Sequence, residues 1–105
     1  MKSIVLVFSL AIALTAAQAS NPYAGQADAV AAGRKLFRNE CAQCHGAEAV
    51  GGPKAPSLRS RRVQEAPDDA LFKFLTNGKL KHGMPSWSRL PEQRRWQIVT
   101  YLKSL

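Results

Sequence analysis

Along the 105 residues, apolar positions fall into three helical rhythms separated by two stretches that have none. Val30, Gly33, Leu36, Phe37 and Cys41 recur at the i, i+3, i+4, i+7 spacing of one helix face, and Asp28 stands where an N-cap belongs. Leu71, Phe72 and Leu75 line one side of a segment from Pro67 to Thr76, which opens on Asp68 and Asp69 and closes on Asn77-Gly78. Ile98, Tyr101, Leu102 and Leu105 mark a last helix that starts near Pro91. The stretch from His45 to Ala66 holds Gly51, Gly52, Pro53 and Pro56, and residues 79 to 90 hold Gly83 and Pro85, so both read as loops. Residues 20 to 27 read as a short arm. Gly33 in the interior of a helix costs about 1 kcal/mol relative to Ala and so predicts a close crossing with another helix. The expected fold class is all-α, with two long loops on either side of a middle helix.

One apolar run stands outside this scheme. Ile4 to Leu14 follows the basic Lys2 and precedes Ala17-Gln18-Ala19, the pattern of a secretory signal with its small-residue cleavage site. The run is shorter than the roughly 20 residues that span a bilayer. No cysteine follows the cleavage site, which argues against a lipid anchor. The expected organisation is therefore a signal peptide over 1–19 and one domain over 20–105, exported and soluble outside the cytoplasm. A mature chain of roughly 86 residues has little interior with which to offset its ordering entropy, and such domains need a staple.

The staple is legible in Cys41-Ala42-Gln43-Cys44-His45, a Cys-x-x-Cys-His run of the kind that attaches a c-type haem. Two thiols one helical turn apart suit the two vinyl groups on one edge of the macrocycle, and the imidazole that follows suits the iron. Cys-x-x-Cys alone also serves thiol-disulfide exchange and half of a zinc site. A structural zinc needs four ligands, yet the exported chain offers only Cys41, Cys44, His45 and His82, with His45 sharing its turn with Cys44. A thioredoxin-like site needs a βαβ context, and no β-branched strand flanks the motif. One covalent haem c, held through Cys41 and Cys44 with His45 as axial ligand, fits best.

For the opposite axial position, Met84 is the one thioether left once Met1 departs with the signal. It lies in Gly83-Met84-Pro85, where glycine permits an unusual backbone and proline stiffens the exit. His82, two residues away, is the rival ligand.

These features, in this order, resemble a small class I (monohaem) c-type cytochrome over nearly the whole exported sequence. Gly33 and Phe37 ahead of the haem motif, Ala55-Pro56-Ser57-Leu58, Gly83-Met84-Pro85, and Ile98 with Tyr101 each match a segment of that family. The resemblance implies that N- and C-terminal helices cross, and that His45 and Met84 take opposite faces of a haem wrapped by loops. It also implies that the Pro56 carbonyl orients the His45 ring, that Leu58, Phe72, Leu75 and Trp87 pack on the haem, and that Trp87 or Arg59 reaches a propionate.

Histidine and methionine fill both axial sites and the thioether raises the reduction potential, which suits single-electron transfer rather than catalysis. The expected function is a periplasmic soluble electron carrier between a dehydrogenase or respiratory donor and an oxidase or other acceptor, acting as a monomer and not as an enzyme. The alternatives are a peroxidase-like haem enzyme or sensor in which Met84 dissociates, and a haem-free thiol-disulfide oxidoreductase.

The chain carries 15 basic and 7 acidic residues. Without Lys2 and with two haem propionates its formal charge falls from +8 to about +5. Arg59, Arg61, Arg62, Lys79 and Lys81 cluster beside the two loops, a positive rim suited to redox partners that are acidic at the docking surface. Export and the lack of a basic recognition helix argue against nucleic acid, and membrane contact is expected to be peripheral at most. Gly83-Met84-Pro85-Ser86-Trp87 followed by Leu90-Pro91-Glu92 and Trp96 resembles the corresponding stretch of cytochromes that accept electrons from quinoprotein dehydrogenases.

Overall fold

The computed structural model describes residues 3–7 and 21–105. Most of the predicted export segment, including Lys2 and Ala17-Gln18-Ala19, lies outside the described residues. The described chain forms α1 (Ala27–Glu40), α2 (Ala42–His45), α3 (Arg61–Gln64), α4 (Asp68–Asn77), a 3-10 turn (Leu80–His82) and α5 (Glu92–Leu102). Among the described residues, β pairing is confined to one bridge between Lys79 and Met84. No helix among them is long and apolar enough to cross a membrane.

The fold is organised by α1 crossing α5, the most extensive helix pair among the described residues. Helix α1 buries Ala29, Gly33 and Phe37, and α5 buries an unbroken run from Ile98 to Leu102. The crossing is as close as Gly33 predicts, because a Cβ placed there would stand 2.0 Å from the Gln97 carbonyl oxygen and 2.8 Å from Tyr101 Cβ. Phe37 and Tyr101 meet beside it, with ring centroids 5.5 Å apart. Helix α4 leans on α5 through Phe72, which stacks on Trp96 at 4.0 Å between centroids.

Several elements depart from the sequence reading. Asp28 is not the N-cap of α1; Gln26 holds that position, and the Asp28 carboxylate accepts from the Ala29 amide inside the first turn. Pro91 takes the N-cap position of α5 rather than its first turn, and Leu105 lies beyond the helix end. Within the first long loop, α3 is a single turn whose start is set by Ser60, which accepts from the Val63 amide. One turn is too short to leave an apolar rhythm, so it was invisible to periodicity.

The N-terminal arm is also fixed. Asn21 is 4% exposed and donates from Nδ2 to Asp68 (2.8 Å) and to Thr100 (3.1 Å), while its Oδ1 accepts from the Tyr23 amide. Lys103 completes this junction by donating to the Gln64 and Ala66 carbonyls and lying 3.9 Å from Asp68. The arm is thereby latched to the start of α4 and to the last turn of α5.

Candidate haem site

Helix α1 ends at Glu40, and Cys41 begins a second, shorter turn in which the Cys44 and His45 amides both donate to the Cys41 carbonyl. Cys41 is half-buried and Cys44 exposed, and no disulfide joins them. Burial, joined by the neighbouring charges of Glu40 and Cys44, pushes the Cys41 thiol from its ordinary 9.0 up to about 12.

Loop 46–57 folds back over this turn. Gly51 makes that possible: its φ is +87°, and a Cβ on it would stand 2.6 Å from the Ser57 amide nitrogen and 2.8 Å from the Pro56 carbonyl carbon. Its amide donates to the His45 carbonyl at 2.8 Å, and the turn closes with Gly52 donating to Ala55 at 2.9 Å. As a result His45 Nδ1 lies 3.0 Å from the Pro56 carbonyl oxygen. A carbonyl only accepts, so the bond puts the ring proton on Nδ1 and leaves the Nε2 lone pair for a metal. Sequence reading did not single out Ala49, which is fully buried in this loop at a φ of +63° and accepts from the Leu58 amide.

Met84 sits on the second loop, half-buried against the hydrophobic core. Its backbone is paired twice with Lys79: the Lys79 amide donates to the Met84 carbonyl at 2.8 Å, and the Met84 amide to the Lys79 carbonyl at 3.1 Å. Residues 79–84 therefore form a small closed hairpin with His82 exposed near its tip. Leu58, Phe72, Leu75 and Trp87 all join the core, Leu75 and Trp87 as buried members and the other two at its edge. The Arg89 guanidinium covers the Trp87 ring at 4.6 Å. Arg59 is engaged by Glu48, donating from Nε to its carbonyl at 2.7 Å.

The donor set fits a covalently attached haem: two thiols on one helical turn, an imidazole with one nitrogen committed and the other free, and a thioether on a separately braced loop. Leu80 beside Met84 and Val50 beside the haem-motif loop remain 74% and 60% exposed, apolar surface that the protein itself does not cover. Of the predicted basic rim, Arg61 is paired with Glu65 and Arg59 with Glu48. Among the described residues, Arg62, Lys79 and Lys81 are exposed and take part in no ion pair.

Sequence reasoning missed Thr76, Ser86 and Arg95, which converge behind the methionine loop. A usable signal was present in Arg95, a cation in the first turn of α5, where the helix dipole disfavours positive charge.

Comparison with known proteins places the chain in a family. The family described as "Cytochrome C oxidase, cbb3-type, subunit III" matches residues 28–102. Cytochrome c550 of Pseudomonas aeruginosa is 33% identical over 88 residues, covering 80% of this chain and 61% of the relative. The quinohemoprotein alcohol dehydrogenase ADH-IIG of Pseudomonas putida is 37% identical over 75 residues, covering 70% of this chain and 10% of the relative. The crystal structure of cytochrome CL from the marine methylotroph Methylophaga aminisulfidivorans MPT superposes with a TM-score of 0.69 at 26% identity, covering 79% of this chain and 57% of that one. The chain thus spans less than two thirds of the length of each of these relatives, from 10% to 61%.

Proposed function

Because the chain belongs to the family of c-type cytochrome domains described as cytochrome C oxidase, cbb3-type, subunit III, with the all-α class I fold and covalent haem c, we propose that it is a periplasmic single-electron carrier. Cys41 and Cys44 hold the haem and His45 and Met84 ligate its iron. When bound, the haem supplies an iron that gains and loses one electron without changing its ligands.

The observation that carries this reading is the 3.0 Å contact between His45 Nδ1 and the Pro56 carbonyl. It commits the tautomer, fixes the ring plane and raises the basicity of Nε2, the task of an outer partner to a metal-bound histidine. The twofold backbone pairing of Met84 with Lys79 supports a thioether that stays in place through the redox cycle, which favours a carrier over an enzyme that opens its iron. A thiol-disulfide oxidoreductase needs a readily ionised cysteine, whereas burial drives Cys41 the other way, to about 12.

The exposed Arg62, Lys79 and Lys81 suit a partner with an acidic docking face. Likeness to a quinohemoprotein alcohol dehydrogenase favours a donor of that chemistry, and the family description favours an oxidase as acceptor. The carrier acts as a monomer, exported by residues 1–19.

Met84→Ala tests the assignment directly. The variant should lose the low-spin methionine signature and fall markedly in potential while keeping its haem through both sulfurs. An unchanged spectrum and potential would sink Met84 as ligand, and peroxide turnover by the unmodified protein would sink the carrier reading.

A further inference from the structure

Three polar side chains that the transfer of an electron does not use, Thr76, Ser86 and Arg95, meet where the methionine loop rejoins the protein. The carbonyls in the last turn of a helix lack intrahelical partners, and two of those of α4 are taken up by this loop. Ser86 Oγ donates to the Thr76 carbonyl at 2.6 Å, and the Trp87 amide donates to the Leu75 carbonyl at 3.0 Å. On the entry side, Gly78 lies so close to Pro85 that a Cβ would stand 2.5 Å from its carbonyl oxygen. The two ends of the loop are thus pressed together, with the Lys79 and Met84 hairpin between them.

Arg95 reaches this junction from α5. Its Nη1 donates to Thr76 Oγ1 at 2.6 Å, its Nε donates to the Leu90 carbonyl at 3.0 Å, and its guanidinium lies 4.9 Å from the centre of the Phe72 ring. Thr76 Oγ1 spends its single proton on the Phe72 carbonyl at 2.8 Å, so only its lone pairs remain for Arg95 and the rotamer is fixed. Charge-assisted bonds of this kind are about twice as strong as neutral ones. They are made here by a residue whose position in the first turn of α5 runs against the helix dipole.

We infer that Arg95, acting through Thr76 and the Ser86 contact, is a positioning residue for Met84, fastening the exit of the methionine loop to α4 and so setting how firmly the thioether is held at the iron. The inference rests on Met84 being the axial ligand. A simple staple between α4 and α5 would contribute to global stability alone. A positioning residue also governs the opening of residues 79–87 and the bond to the metal.

The test compares Arg95→Gln, Arg95→Lys and Thr76→Val in the haem-loaded protein with Asn21→Ala, which removes buried hydrogen bonds without touching this loop. Three quantities are read: amide exchange at Met84 and Trp87, the methionine-to-iron charge-transfer band, and the midpoint potential. Arg95→Gln and Thr76→Val should each speed exchange at those amides by about tenfold relative to Asn21→Ala, weaken the band and lower the potential. Arg95→Lys should recover part of each effect, since an ammonium keeps the charge but not the two-pronged fork. Should Arg95→Gln fail to yield loaded protein, Thr76→Val decides. Exchange, band and potential that move no more than in Asn21→Ala would overturn the inference, as would faster exchange with the band and potential unchanged. Met84→Ala, run alongside, separates the two claims. If it leaves the band intact, the ligand assignment fails; if it removes the band while the Arg95 variants behave as Asn21→Ala does, the positioning role alone fails.

Discussion

Replacing Gly33 by alanine sets two known effects against each other at one atom. In an isolated helix the change should help, since alanine is favoured over glycine by about 1 kcal/mol. Here the new Cβ would stand 2.0 Å from the Gln97 carbonyl oxygen and 2.7 Å from its carbon. Carbon and carbonyl oxygen in non-bonded contact keep about 3.3 Å apart, so α1 and α5 must separate by more than about 1 Å. Both obstructing atoms are helix backbone and cannot rotate away. Overpacking costs about 1–3 kcal/mol, and the separation also strips contacts from Phe37 and Tyr101, so the expected net loss is about 2 kcal/mol. For a domain of this size that lowers Tm by about 8–16 °C. Thermal unfolding of the haem-loaded protein by far-UV circular dichroism measures it, with Ala31→Gly on the exposed face of the same helix as a propensity control. A Gly33→Ala variant as stable as the parent, or more so, would refute the claim that the crossing is closed at this position.

Asn21→Ala should cost about 1–3 kcal/mol, because it removes two donors from buried Asp68 and Thr100 and the acceptor of the Tyr23 amide; a denaturant midpoint unchanged from the parent would contradict the latch. Prepared without haem, the chain should alkylate slowly at Cys41 near neutral pH and faster as the pH climbs. The folded state favours the neutral thiol, so the stability this burial contributes is fully present below 9.0 and is lost as the pH rises through about 12. A rate at pH 8 equal to that of an unhindered thiol would show that the end of α1 does not stay packed without its cofactor. Reduction by an acidic partner, followed by stopped flow, should slow about tenfold on raising the salt or on introducing Lys79→Glu with Lys81→Glu; insensitivity to both would remove the basic rim from the encounter.

What the sequence displayed and what it hid divide along a physical line. Helices α4 and α5 were legible because their apolar faces repeat, and Gly33 was legible because a glycine in a helix interior has a cost that something must offset. The Cys41 to His45 run declares its chemistry in five adjacent letters. The Asn21 junction was not legible: its partners lie 47 and 79 positions away, and a lone asparagine in an arm looks like any solvated residue. Asp68 looked like a helix-dipole charge, and it turned out to be 4% exposed and shared between the arm and Lys103, just past the end of α5. The turn at Arg61–Gln64, the left-handed Ala49 and the Lys79 and Met84 pairing depend on how loops fold on one another, which no local rhythm records.

The α1 and α5 crossing has a consequence for the order in which the molecule is assembled. It joins segments far apart in the sequence, and Asn21 with Thr100 closes a loop 79 positions long. Such long-range closure is slow and brings no stabilisation until both ends are present. A chain made from its N-terminus therefore presents Cys41, Cys44 and His45 well before Tyr101 arrives to cover Phe37. For that interval the thiols belong to an open polypeptide, and a haem can be attached before the helices shut behind it.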